Sequence, residues 1–195
     1  MNIIVARDER EIDAAAERMS GAAVVGCDTE TSGLNAKYAR LFSVQFSDGD
    51  LGVLVPVSEG IGLGRLAAVL SSPGVVKVFH NARFDIEFLS RSGIAVANVF
   101  DTMIAEKVLT KGANQSASLA ETLYRYFAVD LEKSRRSKFN RSWDGIWTPE
   151  LVDYALSDVM HLPALMREQA SWMERLGLTA EFELQMQKMH AALGG

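Results

Sequence analysis

The chain has 195 residues and a formal charge of −5, and its 48% hydrophobic and 23% charged residues are those of an ordinary globule rather than a disordered or membrane-embedded chain. No apolar run reaches the roughly 18–20 residues of a spanning helix, and the charges in Met1–Glu11 argue against a secretory signal. The single Cys27 excludes an intramolecular disulfide and a cysteine-built zinc site, so one domain over residues 1–195 in a reducing cytoplasm is expected.

In chain order, Asn2–Ala6 is a short apolar run and predicts a strand. Asp8 is placed to cap a helix over residues 9–19, with Ile12, Ala15, Ala16 and Met19 on one face. Ala22–Thr29 predicts a buried strand, and Leu41–Phe46 and Leu51–Val57 predict a hairpin around Ser47-Asp48-Gly49-Asp50. A helix over 62–71, a strand over Val75–Phe79, a helix from Ala82 to Ser90 and a strand over Val96–Phe100 follow. Asp101 and Thr102 are placed to cap a helix over 103–110, and Ser116 or Ser118 to open one ending at Phe127. Residues 132–141 hold five basic and one acidic side chain, a local +4 that leaves −9 on the rest of the chain. Thr148-Pro149 predicts a helix start, Pro163 a kink, Gly177 a helix end and Thr179 the cap of a last helix. Strands dominate the first half and helices the second, so the expected fold class is α/β with a mixed sheet flanked by helices.

Acids recur where this pattern places sites. Asp28 and Glu30 are two apart at the end of a strand and so point to one side. Two carboxylates held together repel unless a cation lies between them. Cys27 points the other way, toward the core. Asp85 sits in the first turn of a helix that follows a buried strand, near the strand's carboxyl end. Tyr154 and Asp158, spaced i and i+4, share a helix face. Read singly, Asp85 is a helix N-terminal charge, Tyr154 with Asp158 a surface pair, and His80 a satisfied core histidine.

Together these segments resemble the DEDD superfamily of 3′–5′ exonucleases, and the resemblance implies a ribonuclease H-like fold. The motifs are Asp28-Thr29-Glu30-Thr31-Ser32-Gly33-Leu34, His80-Asn81-x-x-Phe84-Asp85 and Tyr154-Ala155-x-x-Asp158-Val159, with Asp101-Thr102-Met103 as a recurrent structural segment. One branch of the superfamily has histidine five residues before the last aspartate. Asp153 stands there, and Tyr154 marks the tyrosine branch, which includes ribonuclease D-like enzymes and the proofreading domains of family A DNA polymerases.

The resemblance implies a metal-dependent enzyme acting on 3′ ends of single-stranded DNA or RNA and releasing nucleoside monophosphates. Its implied cofactors are two divalent cations, Mg²⁺ or Mn²⁺, held by Asp28, Glu30, Asp85 and Asp158. Carboxylates without cysteine suit such hard ions, and two divalent cations stabilise both ends of an in-line displacement. Tyr154 is implied to hold the attacking water. Acting as a base near neutrality would need a shift of about 3 units from its usual ~10, roughly 4 kcal/mol, so orientation is its expected role. Thr29, Thr31, Leu34, Asn81, Lys138, Phe139 and Arg141 are the candidate substrate contacts, Leu34 as a wedge and Phe139 as a stacking ring in the basic loop. Trp143 fits a recurrent tryptophan of ribonuclease D-like relatives, but Ser142 stands where an aspartate is usual. Phe182–Met186 resembles the connection into a family A polymerase domain, which makes a separate polymerase a candidate partner and tilts the expected substrate toward DNA. Two readings stand beside this one: an exoribonuclease of the ribonuclease D or oligoribonuclease kind, and a catalytically silent module binding nucleic acid or a polymerase.

Overall fold

The structure, a computed structural model, describes residues 2–111, 113–131 and 138–193. Six strands form one sheet: β1 (Asn2–Val5), β2 (Val24–Thr31), β3 (Leu41–Ser47), β4 (Leu51–Val55), β5 (Val76–Phe79) and β6 (Val99–Asp101). Their order is β1-β4-β3-β2-β5-β6. β3 runs antiparallel to both β2 and β4, while β2, β5 and β6 are mutually parallel, as are β1 and β4. The mixed sheet flanked by helices agrees with the expected fold class.

The described helices are α1 (Glu9–Gly21), α2 (Leu66–Ser71), α3 (Ala82–Arg91), α4 (Thr102–Thr110), α5 (Leu119–Phe127), α6 (Pro149–Met160), α7 (Leu162–Leu176) and α8 (Thr179–Leu193). Local chemistry accounts for several boundaries. Asp8 accepts a hydrogen bond from the Glu11 amide, and Ile12, Ala15, Ala16 and Met19 bury the predicted face of α1. Thr148 caps α6, with Pro149 at the first turn. Asp48 turns the β3–β4 hairpin by accepting from the Asp50 and Leu51 amides, and Arg18 of α1 binds its other oxygen. The kink expected near Pro163 is a full break: α6 ends at Met160, His161 intervenes and α7 begins at Leu162. Gly177 ends α7 in the left-handed conformation, at φ 66°. Thr179 is the first residue of α8 rather than its cap.

The α6–α7 corner lies directly on the sheet. A Cβ at Gly26 of β2 would fall 2.5 Å from the Val159 carbonyl oxygen, and one at Gly52 of β4 would fall 3.1 Å from a Leu156 methyl. Gly26 lets backbone approach backbone, and Gly52 lets the Leu156 and Met160 side chains settle onto the strand. Alternation along β2 puts Asp28 and Glu30 on the face of Gly26, hence toward α6. Cys27 is fully buried on the opposite face, and burial pushes its thiol upward, which fits a core residue. Lys77 of β5 is buried as well; its ammonium donates to the carbonyls of Ser72 and Val75, and burial pushes its pKa down. No described helix is long and apolar enough to cross a membrane.

Candidate active site

The three acidic segments meet at the carboxyl end of β2. One cavity of about 360 Å³ is lined by Asp28, Glu30, Asp85, Tyr154 and Asp158. Thr29, Thr31, Leu34, Asn81 and Phe139 line it too. β2 supplies the first pair of acids, and the register with β3 shifts after Glu30, where Phe42 of β3 is passed over and Thr31 pairs with Leu41. α6 faces this pair with Tyr154 and Asp158.

Asp85 arrives from the other side. It lies in the first turn of α3, 1% exposed, and the Thr29 hydroxyl donates to its Oδ1 at 2.6 Å. Thr29 thus faces away from Asp28 and orients Asp85. Withdrawal from water pushes the Asp85 carboxyl up to about 7, and the Thr29 hydrogen bond pulls against that rise. The carboxyl of half-buried Asp28 is pushed well above the usual range, first by withdrawal from water and then by Asp85, Asp158 and Glu30.

The start of α3 depends on a residue outside the cavity. Asn81 precedes the helix in the left-handed conformation, at φ 72°, and its side chain caps nothing. Asp101, 2% exposed, does that work. Its Oδ2 accepts from the Ala82 amide at 2.8 Å, and its Oδ1 accepts from the amides of Asn81, Met103 and Ile104. One carboxylate therefore joins the starts of α3 and α4 and fixes Asp85 indirectly. The cap of α4 was expected from sequence; the bond to α3 was not, because nothing local marks a contact across twenty residues.

His80 is the satisfied histidine of the alternative reading. Its Nε2 lies 2.9 Å from the Ala117 carbonyl oxygen and so carries the hydrogen, while Nδ1 meets the Thr102 hydroxyl at 2.8 Å. Burial pushes its pKa down, and it pins the segment leading into α5 against the cavity.

The substrate candidates separate. Leu34 stands at the rim, 80% exposed. Thr31, buried, donates to the Gly33 carbonyl and shapes the turn below it. Phe139 is 7% exposed, so its ring is not a solvated platform. It packs against Phe42, Trp143, Trp147 and Tyr154, with 6.0 Å between its ring centre and that of Tyr154. Hydrophobic burial outcompeted the surrounding basic charge there. Lys138 and Arg141 are exposed and do not line this cavity; the Arg141 carbonyl accepts from Arg40. Residues 132–137 of the basic segment lie outside the described residues.

The donor set fits hard divalent cations. Asp28, Glu30, Asp85 and Asp158 offer carboxylate oxygens in one cavity, and the mutual repulsion acting on Asp28 is what a cation relieves. Among the described residues, no three His, Cys, Asp or Glu side chains already stand close enough to grasp an ion. The carboxylates share a cavity without forming a closed cage.

Comparison with known proteins gives the family and the fold. A family model described as 3′–5′ exonuclease matches residues 3–168. A ribonuclease D of Nitrobacter hamburgensis is 33% identical over 159 residues, covering 78% of this chain but 39% of that protein. The chain therefore spans about two fifths of that relative's length. NrnC of Brucella melitensis, solved with bound Mg²⁺, superposes with a TM-score of 0.78 at 26% identity, covering 96% of this chain and 87% of that one. The same nuclease bound to pGG gives 0.77 at 28% identity, covering 87% and 82%. Escherichia coli RNase D shares the fold, with a TM-score of 0.83 at 24% identity over 99% of this chain and 51% of that one. The mixed six-stranded sheet, the cavity at the end of β2 and the match across residues 3–168 make this chain a member of the 3′–5′ exonuclease family.

Proposed function

We propose that this chain hydrolyses phosphodiester bonds at the 3′ end of single-stranded nucleic acid and releases nucleoside 5′-monophosphates. The observation that carries the reading is the convergence of four carboxylates and Tyr154, from three separate segments, on one cavity. Two divalent cations, Mg²⁺ or Mn²⁺, are the proposed cofactors, with Asp28, Glu30 and Asp158 holding one and Asp28 with Asp85 the other. When bound, such ions neutralise the charge that develops on the phosphoryl and leaving oxygens.

The chain's own groups do the positioning. Thr29 aims Asp85 into the cavity. Tyr154, steadied by the Phe139 ring, orients the attacking water. Leu34 at the rim sets the terminal base, and Asn81 and Thr31 bound the space for the last nucleotide. The relative named ribonuclease D and the neighbour solved with pGG support RNA over the DNA expected from sequence.

The test is a time course on 5′-labelled single-stranded RNA and DNA with Mn²⁺, using Asp28→Ala as control. A ladder shrinking from the 3′ end, faster on RNA and absent in the control, is expected. No shortening of either polymer by the folded wild-type protein would sink the enzyme reading. Tyr154→Phe is expected to slow turnover while Mn²⁺ affinity, read by calorimetry, stays nearly unchanged.

A further inference from the structure

A second cavity lies beside the acidic one. It measures about 790 Å³ and lies between α4 and α8, beside the start of α3. Its floor is apolar, with Ile104, Val108 and Met189. Its rim is basic: Arg83, Lys107, Lys111 and Lys188 line it, against the acids Asp101 and Glu181. The Asp101 carboxylate is occupied by backbone amides, so its charge is largely answered within the fold. Arg83 pairs with Glu87 at 2.9 Å. Among the described residues, Lys107, Lys111 and Lys188 form no ion pair within 4 Å, and all three are exposed.

Two residues connect this groove to the acidic cavity. Asn81 and Met103 line both. A strand whose 3′ end enters the acidic cavity must leave it somewhere, and this exit offers cations for phosphates and an apolar floor for bases. Such a pairing is how single strands are bound without sequence readout.

We infer that the α4–α8 groove binds the nucleotides on the 5′ side of the 3′ end being cut, with Lys107, Lys111 and Lys188 meeting their phosphates. This rests on the exonuclease reading and adds to it a substrate-length dependence. Dinucleotides do not reach the groove; longer strands do. Each phosphate contact contributes about 0.7 to the salt dependence of single-strand affinity on a log–log scale.

The experiment uses the full chain with Lys107→Gln, Lys111→Gln and Lys188→Gln combined. All three are exposed side chains whose replacement leaves folding nearly untouched, which the melting curve verifies. Binding of a fluorescent long single-stranded oligonucleotide is followed by anisotropy in EDTA across a salt series. Cleavage of the same strand and of a dinucleotide is followed with Mn²⁺. The expected results are an affinity for the long strand lower by about tenfold near physiological salt, a salt slope shallower by about 2, and unchanged dinucleotide cleavage.

An unchanged salt slope, or equal losses on both substrates, would overturn the groove. So would a wild-type protein that binds the long strand no more tightly than the dinucleotide, or a triple variant altered only in oligomeric state. A wild type that binds long strands through these lysines yet cleaves neither substrate would instead overturn the exonuclease reading and leave the groove standing.

Discussion

Two sets of buried acids in this chain answer opposite needs. Asp101, at the end of β6, and Glu106, within α4, are both 2% exposed and surrounded by donors. Asp101 accepts from four backbone amides, and Glu106 accepts from the Arg125 guanidinium at 2.9 Å and the Gln169 amide at 3.1 Å. Asp28 and Asp85 are instead placed among like charges and withdrawn from water, and both are pushed upward. An acid serving the fold has its charge answered by the chain. The acids proposed to hold cations are answered by the chain only in part, through Thr29.

The sharpest break between the two sets is expected at Asp28. Asp28→Asn should lower kcat/KM by about a thousandfold, while the metal-free variant melts no lower than wild type because repulsion has been removed. Loss of the fold would break the distinction. Asp101→Ala should behave in reverse. It orphans buried amides at two helix starts and should lower unfolding free energy by about 3 kcal/mol, measured by urea titration. Glu106→Gln should cost less, about 1–2 kcal/mol by the same titration, because Arg125 is part-exposed and regains water.

The smallest effect sharpens the comparison through pH. Asp85 titrates near 7 in the fold against about 3.9 in an unfolded chain. Between those values the folded form holds more protons, so this contribution is complete below the lower value and is lost as pH rises through the upper one. The difference in melting temperature between wild type and Asp85→Asn, followed in EDTA across this window, should shift steadily in favour of the variant as pH rises. Saturating Mn²⁺ should reverse the trend for wild type, since cation binding strengthens as the carboxylates ionise. A flat difference curve would contradict the assignment.

Much of this organisation was legible in the sequence. Caps, apolar periodicity and the proline and glycine signals located α1, α6 and the hairpin nearly to the residue, because those signals act over a few positions. The β2 strand was displaced by two residues, since Ala22–Thr29 was expected and Val24–Thr31 is observed. Its ends are set by pairing with β3 and β5, which lie far along the chain. The five residues at the centre of the site were legible because their spacing repeats a family pattern. The burial of Phe139 was not legible because its neighbours are basic, whereas the rings that bury it come from positions 42, 143, 147 and 154. The Thr29–Asp85 bond spans 56 residues and left no local trace. The lysine-lined groove is likewise a product of α4 and α8 meeting in space.

Gly26 bears on how the two halves of the acidic cavity stay in register. At that position β2 meets the Val159 carbonyl oxygen at the end of α6, with Leu162 Cβ and Pro163 Cδ beside it, so the spacing between Asp28 with Glu30 and Tyr154 with Asp158 is gauged by a contact that leaves no room for a side chain on β2. Core substitutions away from Gly26, Leu162 and Pro163 do not touch this contact. A carbon added at Gly26 would fall 2.5 Å from that oxygen and push the two halves of the acidic cavity apart.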